Sequence, residues 1–539
     1  MSFRHRVLEA GYFPRELPPP FTTHSFADFA DAKPNYIQEL WDPFPPNTGY
    51  RTKLVRHHLS EAGRNRRVLS IPNPINQLRL VQALEKHFKQ VFESAWKSPI
   101  SASKPHFQYS QARAIMPQDG FTTILRLKAK ARAVARYILK TDVTRFFPSI
   151  YTHSISWVLH TKALAKSNTG PSLPGNVLDK IIRDAQDGQT IGIPIGPDTS
   201  LVIAEIILSA VDNDACGAGL GFRWYDDYEL PGVTRDECEQ ALVRLETALL
   251  EFELEVNVSK TEILELPMAI EDEWVAVLRD FKFRGTARAQ FEDLIVFFSR
   301  AFELAERFAG KSVLRYAVRK MHGASIHSAN WEHVQRLMAQ AATHEPEVLP
   351  HVLGCLNYYH EVKGFTLDRA LLRRLLEAVL RNYAAREVGS EVAWCIWGFL
   401  QFNIQIPVGC VDAAVALNDD VVSLLLLDAR RKGLIDVRGA LAPLGKVVGA
   451  GAFEGEHWLL AYEAIRKGWL RPRGTGVVAF RANAHVTALL QSGVTFYNSR
   501  WKADASARHY YGTPRWPWYQ LTSEEDEEVG DDLGVGTQP

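Results

Sequence analysis

Three carboxylates carry the chemistry this chain is equipped for. Asp226 and Asp227 stand side by side in Arg223-Trp224-Tyr225-Asp226-Asp227-Tyr228, and Asp142 lies upstream in Lys140-Thr141-Asp142-Val143-Thr144-Arg145-Phe146-Phe147. Phosphoryl transfer to a hydroxyl builds negative charge on the attacking and leaving oxygens, and two divalent ions roughly 3.5–4 Å apart can clamp both. Mg²⁺ takes hard oxygen ligands and keeps several waters, so a few carboxylates plus the substrate's phosphates suffice. The set is therefore what a two-metal nucleotidyl-transfer site needs. An acidic pair alone is a common surface feature; here four phrases follow in order. Asp142 precedes Phe146-Phe147-Pro148-Ser149-Ile150, then come Gly192-Ile193-Pro194-Ile195-Gly196-Pro197-Asp198-Thr199-Ser200, the Asp226-Asp227 pair, and Asn257-Val258-Ser259-Lys260-Thr261-Glu262.

The elements that must position these residues are readable from spacing. Tyr137-Ile138-Leu139 reads as a buried strand that leaves Asp142 near its end, and Phe222 to Leu230 fits a hairpin with both aspartates at its turn. Val202 to Val211 reads as a buried helix, with Ile203, Ile206, Ile207 and Ala210 sharing a face. After Pro72-Asn73-Pro74, apolar residues at Leu78, Leu80, Val81, Leu84, Phe88 and Val91 recur at helical spacing. Arg126, Lys128, Lys130 and Arg132 alternate with apolar residues as one face of a strand does, and an exposed helix fits them equally. This mixed order indicates an α+β fold.

Elsewhere the pattern changes. Up to about residue 60 prolines and aromatics crowd, as in Tyr12-Phe13-Pro14-Arg15-Glu16-Leu17-Pro18-Pro19-Pro20-Phe21, which suggests an extended arm laid over a domain surface. Beyond about 290 helix follows helix. Leu371, Leu372, Leu375, Leu376 and Val379 form one stripe with Thr366 as N-cap, another helix begins near Pro346, and Trp394, Trp397 and Phe399 lie in a further apolar run. A HEAT-like array and an irregular bundle both fit this region.

Composition narrows the class. At 539 residues the chain exceeds what one hydrophobic core usually serves, and 46% apolar with 23% charged residues is ordinary for a soluble protein. No long apolar run is present and Met1-Ser2-Phe3-Arg4-His5-Arg6 lacks the apolar core of a signal peptide, so a cytoplasmic protein without membrane contact is expected. Five cysteines (Cys216, Cys238, Cys355, Cys395, Cys410) have no CxxC spacing, which argues against a disulfide framework and a zinc site and leaves them as buried small hydrophobes. Net charge is zero, yet Ser523-Glu524-Glu525-Asp526-Glu527-Glu528 is acidic, so the rest is slightly basic. The aromatics Tyr510, Tyr511, Trp516, Trp518 and Tyr519 could stack on single-stranded DNA, although docking of the tail on its own domain or a neighbouring subunit is the stronger reading. Arg481 and His485 are too closely spaced for the Arg–His pair of HEPN ribonucleases.

The order of the four phrases resembles the palm of reverse transcriptases, and their wording is similar to that of the abortive-infection and defence-associated reverse transcriptases of bacteria. Gly11-Tyr12-Phe13-Pro14 and Arg67 to Pro74 look like the same group, so the resemblance covers roughly residues 1–290. It implies an N-terminal arm (1–60), reverse-transcriptase-like fingers and palm (61–290), an all-α domain (291–510) and an aromatic then acidic tail (511–539). By position, Asp142, Asp226 and Asp227, with the Val143 carbonyl, would hold two Mg²⁺ ions. Phe147 falls where an aromatic excludes a ribose 2′-hydroxyl, with core packing as its alternative. Lys260 corresponds to a lysine near the leaving pyrophosphate, with a surface lysine as the alternative, and Arg126, Lys128 and Lys130 would serve the triphosphate from the fingers. Ile195 departs from the retroviral pattern, which has glutamine there, and this weakens any inference about template reading.

The implied activity is an RNA-directed or template-independent DNA polymerase acting in anti-phage defence on dNTPs. Some members of the group start synthesis on a tyrosine hydroxyl, a reasonable nucleophile, which makes Tyr12 the priming candidate and covalently attached single-stranded DNA the product. The alternatives are a conventional enzyme copying a dedicated non-coding RNA and a nucleotide- or phage-sensing scaffold. A homo-oligomer is expected.

Overall fold

The computed structural model describes residues 2–36, 50–60, 66–109, 112–216, 221–436, 439–471 and 474–501. Among them eight strands form three antiparallel sheets. β1 (Val55–Ser60) pairs with β2 (Arg66–Ile71), and β3 (Pro105–Phe107) pairs with β4 (Ile115–Pro117). β5 (Tyr137–Asp142), β6 (Phe222–Trp224), β7 (Asp227–Gly232) and β8 (Glu262–Glu265) make a four-stranded sheet in the order β6-β7-β5-β8.

This central sheet matches the expected strand and hairpin. Ile138 and Leu139 are fully buried in β5, and the β5–β7 register pairs Leu139 with Leu230, Thr141 with Tyr228 and Asp142 with Asp227. A one-residue slip would turn Leu230 and Tyr228 out of the core, so burial locks the register. The expected buried helix extends to Asp198–Cys216 and packs against the helices Phe88–Ala95 and Arg235–Leu250. Asn73 caps the helix Pro74–Lys86, its side chain accepting from the Ile75 amide at 3.0 Å, and Leu78, Val81 and Leu84 are fully buried along it.

Two expectations need correction. Residues 2–36 are not an extended arm: Phe3–Ala10 and His24–Ala32 are helices whose Val7, Leu8, Phe26 and Ala27 are fully buried. Neither helix contains a proline, the nearest being Pro14, Pro18, Pro19 and Pro20 between them and Pro34 after them, and burying aromatic area outweighs proline's restriction of the chain. Thr366 does not cap its helix; Asp368 does, accepting from the Leu371 amide at 2.9 Å, while the Thr366 carbonyl accepts from Trp331 and Gln335.

Among the described residues the C-terminal half is helical between Glu273 and Gln491, with a short 3₁₀ turn at Pro346–Val348 before the helix Leu349–Asn357. Leu372, Leu375, Leu376 and Val379 are buried as their spacing predicts, and Trp394, Trp397 and Phe399 are buried in Gly389–Gln401. The chain then returns to its start. Thr22 donates to the Phe496 carbonyl (3.1 Å), Ser25 to the Thr495 carbonyl (3.0 Å), and Tyr36 pairs with His485 Nδ1 at 2.9 Å. One apolar cluster runs from Val7 to Tyr497, so the N-terminal helices join the two regions instead of trailing from one. All five cysteines are free and all but Cys216 are buried. No helix among the described residues is long and apolar enough to cross a membrane. Tyr510, Tyr511, Trp516, Trp518, Tyr519 and the acidic run lie outside the described residues.

Candidate active site

Asp142 ends β5 directly opposite Asp227, the first residue of β7, and Asp226 sits in the turn just before it. Lys260, in a short 3₁₀ turn ahead of β8, places its Nζ 2.5 Å from Asp142 Oδ2. The sheet thus gathers three carboxylates and one ammonium at one end. Asp142 is buried, and its Oδ1 has no hydrogen-bond partner. Val143 follows it, buried, in an isolated bridge with Val256.

The electrostatics are those of like charges held close together. Desolvation and then the neighbouring Asp227 push the Asp226 carboxyl up to about 6. Asp227 is also raised, by desolvation and by Asp142, although its exposure to water screens the effect. The Lys260 ammonium is held above its ordinary value, chiefly by its hydrogen bond to Asp142, so it stays charged at neutral pH. The carboxylates are not gathered as ligands of a single ion, because the one group of three acidic, histidine or cysteine ligand atoms within 4.8 Å among the described residues lies elsewhere. A pair of ions roughly 3.5–4 Å apart spans a wider set. The unpartnered Asp142 oxygen and the mutually repelling pair fit such ions.

A buried ion network holds the turn. Tyr225 has φ 53, a left-handed conformation that costs a non-glycine residue, so something must enforce it. Arg223 is fully buried: it donates twice to Glu205 (2.8 and 3.0 Å), from Nε to Asp212 at 2.9 Å and to the Tyr225 carbonyl at 2.6 Å, and its Nη2 also lies 2.8 Å from Asp212 Oδ2 as an ion pair. Ser103 accepts from the Tyr225 amide and donates to Glu205, while Tyr228 donates to Asp212 at 2.9 Å. Both ends of Tyr225 are thereby pinned and the aspartates are aimed. None of Arg223, Glu205, Asp212 or Ser103 was identified from sequence. The available signal was Glu205, an acid inside the apolar run Leu201 to Leu208, with Asp212 seven residues on, so that one face of this buried helix had to meet a cation.

The glycine-proline phrase is a knot beneath the site. The Asp198 amide donates to the Gly11 carbonyl at 2.7 Å, and a Cβ on Gly11 would meet Asp198 Oδ2 at 2.8 Å. Gly196, at φ 133, sits where a Cβ would lie 2.5 Å from Pro14 Cγ, so only glycine fits. Arg113 ties the two segments, donating to Asp198 Oδ1, the Phe13 carbonyl and the Gly196 carbonyl. The loop supports the short helix Phe146–Ser149, because the Ile193 amide donates to the Phe147 carbonyl. Phe147 is half-buried beside the buried Phe146, and the Ile195 carbonyl is bound by the Ser70 amide.

One open alternative is resolved and one expectation changes. Arg126, Lys128, Lys130 and Arg132 lie on the helix Phe121–Arg132, not on a strand, because Ile124, Leu127 and Ala131 at helical spacing pack on Phe222 and Trp224. The cations consequently divide: Arg132 (2.7 Å) and Lys128 (3.5 Å) pair with Glu229 on β7, while Arg126 and Lys130 are exposed. Tyr12 is fully buried among Phe13, Phe26 and Phe496, and its hydroxyl donates to the Pro72 carbonyl at 2.6 Å. Burial also drives its hydroxyl well above the usual phenol value, so Tyr12 is a packing residue here and not an accessible nucleophile. His485 is likewise structural, its imidazole lowered to about 4 by burial.

No protein-family model matches the chain, and no curated protein matches it. Among solved structures it is similar to apo telomerase from Candida Tropicalis, at 10% identity over 80% of this chain and 76% of that one, with a TM-score of 0.27. A superposition that loose leaves the functional reading to the residues themselves.

Two outcomes follow from the electrostatics. A carboxyl raised by folding makes the metal-free protein lose stability as pH climbs from the ordinary aspartate value through about 6. Asp226→Asn should therefore be more stable than the parent without divalent ions at pH 8, by about 1–2 kcal/mol, with the gain vanishing near pH 4; urea titrations at both pH values measure this. Arg223→Met strands Glu205 and Asp212 as unpaired buried charges and should cost about 3–5 kcal/mol by the same measurement, against almost nothing if the network were idle.

Proposed function

We propose that the chain is a DNA polymerase of the reverse-transcriptase type, adding deoxynucleotides by two-metal catalysis in anti-phage defence. The observation that supports this reading is the register that sets Asp142 opposite Asp227, with Asp226 in the adjoining turn and Lys260 on Asp142. Asp142, Asp226 and Asp227, with the Val143 carbonyl, are the residues that would hold two Mg²⁺ ions. When bound, those ions supply positive charge to the attacking and leaving oxygens. Lys260 is a charged ammonium at the site's edge and can stabilise or protonate the leaving pyrophosphate. Phe147 stands on the short helix just past Asp142, where its ring would close the pocket to a 2′-hydroxyl. The defence role and the choice of dNTPs rest on the resemblance of the motifs. With Tyr12 enclosed, the primer is a nucleic-acid 3′-hydroxyl or a tyrosine elsewhere in the chain.

Purified protein incubated with labelled dNTPs and Mg²⁺ should incorporate label, and the Asp226→Ala, Asp227→Ala double variant should lose incorporation by at least about 10³-fold. Equal incorporation by both proteins, or none by either, counts against a polymerase; phage defence that survives in the double variant would favour a sensing scaffold. Mass spectrometry of the intact chain distinguishes attached DNA from free product, and a co-purifying RNA identifies the templated alternative. Phe147→Ala should raise use of ribonucleotides relative to deoxynucleotides by about 10–100-fold in kcat/KM, and an unchanged ratio would assign Phe147 to packing.

A further inference from the structure

The two N-terminal helices carry a second cluster with metal-ligand chemistry, remote in sequence from the three aspartates. One ligand atom from each of His5, His24 and Asp28 lies within 4.8 Å of the others, and no other such group occurs among the described residues. His5 is on Phe3–Ala10, whereas Asp28 follows His24 by one turn on His24–Ala32. His24 Nε2 is 3.7 Å from Asp28 Oδ2, close to the separation of about 3.4 Å between ligands of a tetrahedral ion with bonds near 2.1 Å.

An i,i+4 His–Asp pair on a helix surface is common, and alone it would mean little. What such a pair leaves unexplained is the shell around it. His5 Nδ1 is bound by Asp31 at 2.8 Å and His24 Nδ1 by Glu9 at 3.0 Å, so each helix orients the imidazole of the other. Those carboxylates are fixed in turn: Ser2 donates to the second oxygen of Asp31 at 3.2 Å, and Arg6 donates to that of Glu9 at 3.1 Å. A carboxylate on Nδ1 sets the tautomer that leaves Nε2 as the ligand atom, the arrangement that accompanies metal-binding histidines. His5 is buried, its side chain 11% exposed, and its ring meets that of His24 edge-on at 6.4 Å between centroids.

We propose that His5, His24 and Asp28 bind a Zn²⁺ ion that staples the two N-terminal helices together, with Asp31 and Glu9 orienting the imidazoles. Two imidazoles and one carboxylate suit zinc better than Mg²⁺, which avoids nitrogen ligands. Three protein ligands leave a fourth position for water. His24 and Asp28 are mostly exposed, so closing the cluster by the remaining ångström needs only side-chain rotation. The absence of paired cysteines does not bear on this site, whose ligands are histidines that only helix packing brings together.

The full-length protein, stripped with a chelator, should be titrated with Co²⁺, whose d–d absorption is strong in four-coordinate sites and weak in six-coordinate oxygen sites. The expected result is a strong band that saturates at one Co²⁺ per chain and is displaced by Zn²⁺. His24→Ala and Asp28→Asn should each lose it while keeping the parent circular dichroism, since both side chains face solvent. The Asp226→Ala, Asp227→Ala variant should keep it, and Glu9→Gln should weaken binding by about 10–100-fold. No strong band, or a band unchanged in both His24→Ala and Asp28→Asn, would overturn the site.

Discussion

Asp142 and Asp227 face each other across an antiparallel register whose slippage would expose Leu230 and Tyr228, so neither carboxylate can retreat from the other without unmaking the core. Asp226 joins them because Tyr225 is held in a left-handed turn by Arg223 and Ser103. The molecule thereby keeps like charges together at a cost that appears as the raised Asp226 carboxyl. Lys260 offsets part of it. Everything else around the site either enforces this convergence or shapes the space beside it.

The enforcement reaches a long way through the chain. Arg223 is anchored on a helix through Glu205 and Asp212, and the start of that same helix is tied through Asp198 to Gly11 and Arg113. Gly11-Tyr12-Phe13-Pro14 continues into the aromatic cluster with Phe496, which belongs to the far C-terminal region. A segment that looks dispensable by composition is the joint between the central sheet and the helical half. Its packing also explains why Tyr12 is unavailable for chemistry.

Much of this was readable beforehand, and the failures have physical causes. β5, the Asp226-Asp227 hairpin and the helix Asp198–Cys216 followed from apolar runs whose lengths and turns admit one reading. Residues 121–132 defeated the same reasoning because alternating cations suit a strand as well as the outer face of a helix, and contact of Ile124 with Phe222 decided it. Proline content suggests an arm because it describes local restriction, whereas Phe26 and Tyr12 answer to distant partners. The three aspartates were evident from their order along the chain. Arg223 and the histidines were not, since the partners of Arg223 lie 11 and 18 residues away and those of His24 and His5 lie 15 and 26 away.

Anomalous diffraction from crystals soaked in Mn²⁺ with a non-hydrolysable deoxynucleotide would locate the paired ions for which the three carboxylates are proposed as ligands. Two peaks roughly 3.5–4 Å apart, each bounded by oxygens of Asp142 and of Asp226 or Asp227, are the predicted result. A nucleotide bound without metal at these residues, or Asp142 still closed on Lys260 with both ions elsewhere, would contradict it.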